Sequence, residues 1–120
     1  MKILLLGKNG YIAKKFSYAL RGSSFIGIGR DDFDYYNKIL LREFISRHKV
    51  DVIINAAGFT GKPNVDGCEL EKADCLSGNA VLPGIIREVC DDLKIPWGHV
   101  SSGCIYSGRR SDGLGWTEDD

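Results

Sequence analysis

The stretch Ile3-Leu4-Leu5-Leu6-Gly7-Lys8-Asn9-Gly10-Tyr11-Ile12-Ala13 decides the fold. Four apolar residues in a row read as a strand buried on both faces, and the glycines that follow turn the chain directly into a helix. Each small residue has its own task in such a turn. Gly7 lets the chain leave the strand sharply, Gly10 lets backbone amides approach a pyrophosphate at the positive end of the helix, and Ala13 allows helix and strand to pack closely. The turn residues Gly7, Lys8, Asn9, Gly10, Tyr11 and Ile12 are therefore candidates for holding a dinucleotide. The GxxGxxA spacing differs from the simplest GxGxxG fingerprint, and an ordinary tight turn is the alternative reading.

Outward from this turn the pattern repeats. Ile12, Phe16, Ala19 and Leu20 recur at helical spacing, Arg21-Gly22-Ser23-Ser24 breaks them, and Phe25-Ile26-Gly27-Ile28 reads as the next strand. A second helix is expected from about Tyr36 to His48, then a strand from Val50 to Ala57, rich in β-branched residues. A long loop, Gly58 to Gly67, comes next. A third helical region spans about Ala73 to Leu93, where Pro83-Gly84 should kink or divide it. Trp97 to Ser101 reads as the last strand. Strands alternating with helices predict right-handed βαβ units on a parallel sheet, a Rossmann-type α/β fold with helices on both faces and strand order 3-2-1-4-5, including a short third strand before the second helix. The glycine- and charge-rich tail from Ser107 to Asp120 reads as a surface loop, and the chain as the N-terminal portion of a longer domain, 1–120 forming its cofactor-binding part.

Composition bounds the partners. The 120 residues are 43% hydrophobic, and sixteen basic residues balance sixteen acidic ones with no basic stripe. Neither nucleic acid nor an anionic membrane is an expected partner. The longest apolar runs are too short to span a bilayer, and the N-terminus enters a strand without a signal-peptide pattern, so the expected address is cytoplasmic. Cys68, Cys75, Cys90 and Cys104 show no CxxC spacing, which argues against zinc and for reduced thiols. His48 and His99 are lone and read as structural.

Gly7-x-x-Gly10-x-x-Ala13, Asn55-Ala56-Ala57-Gly58, Asn79-Ala80 and Ser101-Ser102-Gly103-Cys104-Ile105-Tyr106 stand in the order and spacing of an extended short-chain dehydrogenase/reductase. Gly27-Ile28-Gly29-Arg30, the run from Asn55 to Glu69 and Ser102-Gly103-Cys104-Ile105 narrow the resemblance. The chain is most similar to the dTDP-4-dehydrorhamnose reductase branch, above all to the bifunctional 3,5-epimerase/4-reductases of nucleotide-rhamnose synthesis. The resemblance implies NADP or NAD as cofactor and a nucleotide-activated 4-keto-6-deoxy sugar as substrate of the full-length form; a homodimer or other self-association is expected from the apolar sheet edge and face that further strands and helices would cover.

Arg30 follows the second strand, where a Rossmann fold reads the ribose 2′ position. An arginine there suits a 2′-phosphate and hence NADPH, although Asp31 and Asp32 could instead take a 2′-hydroxyl. By resemblance, Asp34 and Tyr35 occupy the adenine-holding place, with an exposed turn aspartate as the alternative. Asn55, Ala56 and Ala57 end a strand at the carboxyl edge of the sheet and leave room for the nicotinamide ribose, or simply pack closely. Asn79 matches an asparagine that orders active-site backbone, and would otherwise be a cap or kink residue. Ser102 matches the Ser/Thr that hydrogen-bonds a substrate carbonyl, against a plain turn serine. Cys104 matches an acid/base at the carbons beside the 4-keto group, against a buried core thiol. A thiol is suited to exchanging protons that a neighbouring ketone acidifies. The superfamily's Tyr-x-x-x-Lys helix is not found where it belongs, beyond the Ser102 strand, since Tyr106 is followed by Arg110. Two rival readings are a non-catalytic NAD(P)-sensing module and a sugar-nucleotide reductase without epimerase activity.

Overall fold

The computed structural model of the chain describes residues 1–101, 108–117 and 119. Strand β1 (Lys2–Leu6) leads into α1 (Tyr11–Ala19), β2 (Ser24–Ile28), α2 (Lys38–His48) and β3 (Val52–Asn55). A 3₁₀ turn at Val65–Glu69 precedes α3 (Lys72–Leu76), a π turn (Ser77–Val81), α4 (Leu82–Leu93) and β4 (Trp97–His99). The strands form one parallel sheet in the order β2-β1-β3-β4. β1 is central, and Leu4, Leu5 and Leu6 are all completely buried, as expected for a strand covered on both faces.

Four of the five expected strands are present in the expected order; the short third strand is not among them. Between β2 and α2 the chain turns instead, because its own polar side chains capture the amides an edge strand would need. The Asp32 carboxylate accepts from the Gly29 N–H at 2.7 Å, and that of Asp34 from the Tyr36 N–H at 3.0 Å. Asn37 accepts from the amides of Ile39 and Leu40, which starts α2 at Lys38 rather than Tyr36.

Pro83 divides the third helical region as its ring chemistry requires. Upstream of it the helix widens to a π turn in which the Leu82 N–H reaches the Ser77 carbonyl, and Pro83, which has no N–H to offer, falls in the first turn of α4. The main core fills the space between the sheet and the α2–α4 pair. Leu4, Leu6 and Ile53 from the strands meet Leu41 and Ile45 of α2 and Leu82, Ile86 and Val89 of α4. Lys38 and Arg42 of α2 pair with Glu88 and Asp92 of α4 along the outer seam.

Candidate functional site

The carboxyl ends of β1 and β3 open onto a groove. Gly7, at φ +85°, lies so close to β3's end that a Cβ there would sit 2.7 Å from the Ala57 nitrogen. The turn and the Ala56-Ala57-Gly58 backbone thereby share one floor. The amides of Gly7 and Lys8 are spent on the Ile28 carbonyl, and the first helical bond of α1 is donated by Lys14 to Gly10. The amides of Tyr11, Ile12 and Ala13 therefore precede the helical ladder. Gly10 provides no side-chain cap, and α1 has no acidic residue in its first turn. The positive helix end is left facing the groove.

Two adjoining clefts make up this groove. The first, of about 540 Å³, is lined by Gly7, Asn9, Gly10, Arg30, Tyr35 and Ala57 together with loop residues, Lys62 and Glu71 included. The second, of about 510 Å³, runs from Gly10, Tyr11 and Ile12 past Ala57 and Asn79 to His99 and Ser101. Most residues singled out from the sequence line one cleft or the other. Lys8, Asp34 and Asn55 do not.

Lys8 lays its stem over Gly27 and Gly29 and pairs with Asp32 at 2.6 Å. Hydrogen bonds from Lys8 and then from the Gly29 amide hold the Asp32 carboxyl below the usual carboxylate range. With both oxygens engaged, Asp32 is committed to the turn, and Arg30 and Asp31 remain at the first cleft. Tyr35 is buried, which pushes its hydroxyl above the ordinary tyrosine range, while a hydrogen bond from Arg30 pulls the other way. Arg30 and Tyr35 both line the first cleft.

Asn55 is completely buried beneath the groove. Its Oδ1 accepts from the Ala57 N–H at 3.1 Å, which orients the amide, so its Nδ2 donates to Nδ1 of His99 at 3.0 Å. The imidazole proton is then left for Nε2. Asn79 clamps the loop beyond β3: its Oδ1 accepts from the Phe59 N–H and its Nδ2 donates to the Phe59 carbonyl, both at 2.8 Å. The π turn brings the helix close enough for this, since a Cβ on Gly78 would lie 2.9 Å from Cβ of Phe59.

Sequence reading passed over three features. Phe59, Thr60, Gly61, Lys62 and Glu71 line the first cleft, and the only signal for them was the length of the loop after β3. His99, read as structural, is tethered to Asn55 and lines the second cleft, whereas His48 is structural, stacked on Phe44 and bound to its carbonyl. The spacing Tyr-x-x-x-Lys does occur once, at Tyr11 and Lys15, but on the first turns of α1. There the Lys15 ammonium lies over the Tyr11 ring, 5.4 Å from its centre. Ser102 and Cys104 lie outside the described residues. Among the described residues no cluster of side chains suits a metal ion, and no helix is long and apolar enough to cross a membrane.

Parallel sheet, glycine turn and groove at the carboxyl edge define a Rossmann-type α/β domain built to take a nucleotide-like ligand. The chain belongs to the family described as the RmlD substrate binding domain, which matches it over residues 1–120. It is similar to a trifunctional UDP-glucose 4,6-dehydratase/UDP-4-keto-6-deoxy-D-glucose 3,5-epimerase/UDP-4-keto-L-rhamnose-reductase of Arabidopsis thaliana, 28% identical over 127 residues, covering 100% of this chain and 18% of that protein. Among solved structures, the UDP-rhamnose synthase of Acanthamoeba polyphaga mimivirus superposes with a TM-score of 0.84 at 25% identity, covering 100% of this chain and 44% of that one. A dTDP-4-dehydrorhamnose reductase of Bacillus anthracis, solved in complex with NADP, has the same fold, with a TM-score of 0.70 at 16% identity over 80% of this chain and 34% of that one. The chain thus spans less than half the length of these relatives.

Proposed function

We propose that these residues are the cofactor-binding part of a nucleotide-sugar reductase of the 4-dehydrorhamnose type, which takes its hydride from NADPH. The observation that carries this is the groove itself, which joins an uncapped helix end, a glycine turn and Arg30 in a chain that the RmlD substrate binding domain family matches over residues 1–120. The pyrophosphate would lie on the amides of α1 and the adenosine half in the cleft of Arg30 and Tyr35. The nicotinamide half would occupy the cleft of Tyr11, Ile12 and Asn79. Arg30 would meet a 2′-phosphate; of the two acids that could take a 2′-hydroxyl instead, Asp32 is consumed by Lys8 and Gly29, and Asp31 lines the cleft beside Arg30.

The cofactor supplies the hydride when bound. In a full-length protein Ser102 would polarise the C4 ketone and Cys104 would exchange protons at the flanking carbons, as their places in the family pattern imply. The substrate would be a nucleotide-activated 4-keto-6-deoxyhexose, the assembly a homodimer and the compartment the cytoplasm. Calorimetry on the chain tests the cofactor part. NADPH should bind, and Gly10→Val, whose Cβ would meet the Gly7 carbonyl at 3.2 Å and the Ala56 carbonyl at 4.0 Å, should lose that binding while the far-ultraviolet circular dichroism stays the same. Arg30→Ala should weaken NADPH about tenfold or more and spare NADH, since a charge-assisted hydrogen bond contributes roughly 1.5 to 3 kcal/mol. Equal losses for both cofactors would remove the 2′-phosphate role.

A further inference from the structure

The end of β4 carries a side chain that the proposed function leaves unused. His99 pairs with Asn55 in the parallel register of β3 and β4, and the Val100 N–H donates to the Asn55 carbonyl at 2.9 Å. The two residues therefore stand side by side at the carboxyl edge of the sheet. Asn55 is completely buried and is oriented by the Ala57 N–H on its Oδ1, so its Nδ2 donates to Nδ1 of His99 at 3.0 Å. The Trp97 ring, two residues back on the same strand, stands beside the imidazole, with ring centres 6.4 Å apart and planes tilted by 35°. A ring nitrogen that accepts carries no proton, so the imidazole N–H is at Nε2, on the edge of the ring turned away from Asn55. His99 itself is exposed and lines the second cleft together with Tyr11, Ile12 and Asn79.

We propose that His99 contacts the cofactor, its Nε2–H donating to an oxygen of the nicotinamide riboside half, and that Asn55 is the residue that positions it. This rests on the reading of the groove as a dinucleotide site with the nicotinamide half in the second cleft. In NADPH that half is rich in acceptors, the carboxamide oxygen and the ribose hydroxyls, and a donor fixed in the cleft wall meets them. Because Asn55 has already set the tautomer and the place of the ring nitrogen, little ordering remains to oppose binding. Asn55 thereby acts through His99 without lining either cleft, which gives a buried asparagine beneath the groove a task.

Two measurements on the 120-residue chain test this. In nitrogen NMR spectra of the isotope-labelled chain in mildly alkaline buffer, Nδ1 of His99 should resonate as a bare ring nitrogen and Nε2 as a protonated one, and Nε2 should shift when NADPH is added. Calorimetry then uses two substitutions at this exposed position, where neither disturbs the core. His99→Phe keeps a flat ring, removes both nitrogens and should weaken NADPH about fivefold, the loss of one hydrogen bond. Adenosine 2′,5′-bisphosphate, which lacks the nicotinamide riboside, should bind His99→Phe as it binds the parent. His99→Gln, whose side-chain amide also donates, should recover most of the NADPH affinity. Equal NADPH affinity for His99→Phe and the parent, an equal loss for both compounds, a loss that His99→Gln shares, or a proton on Nδ1 would overturn this inference and leave the dinucleotide reading standing. A parent chain that binds neither compound would overturn both.

Discussion

Gly7 and Gly22 share a left-handed backbone, φ +85° and +90°, but only Gly7 is packed against another strand's backbone. An alanine at Gly22 meets nothing within 4 Å and should cost only the left-handed conformation, about 1 kcal/mol. At Gly7 the same change adds a clash with Ala57 that no side-chain rotation relieves, so the loss should exceed ~2 kcal/mol. Urea denaturation of the two variants separates the terms, and equal midpoints would show that the floor of the groove yields. Asp32 offers a test by pH. Its folded pKa lies below its ordinary value, so its pair with Lys8 stabilises above the usual carboxylate range and is lost as pH falls through the folded value. Asp32→Asn should therefore lower the melting temperature at pH 7, with the gap to the parent closing towards pH 3. A constant gap would assign the effect to something other than ionisation. Asp32 also shows where sequence reading stops. It is one of two adjacent aspartates after β2, and only the fold shows which of them Lys8 reaches.

At the scale of elements, the periodicities predicted β1, β2, β3 and the helices correctly because each has one dominant apolar pattern. The short third strand failed because Asp32, Asp34 and Asn37 turn the chain locally, an outcome that a sequence pattern cannot distinguish from a polar edge strand. Asn37 gives a direct measure of that local chemistry: Asn37→Ala should destabilise the chain by about 1 kcal/mol through loss of the α2 cap, read as a lowered denaturation midpoint. The π turn was legible only in part. Pro83 announced a disturbance in the helix, but not that the widening would aim Asn79 at Phe59. Asn79→Ala removes both bonds to the Phe59 backbone and should release the loop, speeding chymotrypsin cleavage after Phe59 while the far-ultraviolet circular dichroism stays the same. Unchanged cleavage would mean that Gly61 and Gly67, whose Cβ positions are blocked by neighbouring backbone, hold the loop alone.

For the molecule as a whole, among the described residues the sheet ends on β4, a three-residue strand paired with β3, and Gly98, His99 and Val100 are exposed. Leu70, Leu76 and Val65 add exposed apolar surface around the 3₁₀ turn and α3. An open parallel edge together with such surface favours pairing between copies, so sedimentation of the isolated chain should show association that increases with concentration. Binding and catalysis should separate in the same preparation. The described residues provide the turn, the helix end and both clefts, whereas the spacing Tyr-x-x-x-Lys falls on Tyr11 and Lys15 in the first turns of α1, where the lysine lies over the ring. A general acid commonly contributes 10² to 10⁴-fold in rate, and the family resemblance places that tyrosine beyond Ser102 and not on α1. The 120-residue chain should therefore bind NADPH yet show no oxidation of it, followed by absorbance, when a nucleotide 4-keto-6-deoxy sugar is added. Measurable turnover would reverse this argument, and its loss in Tyr11→Phe would then transfer the proton-donor role to the first turn of α1.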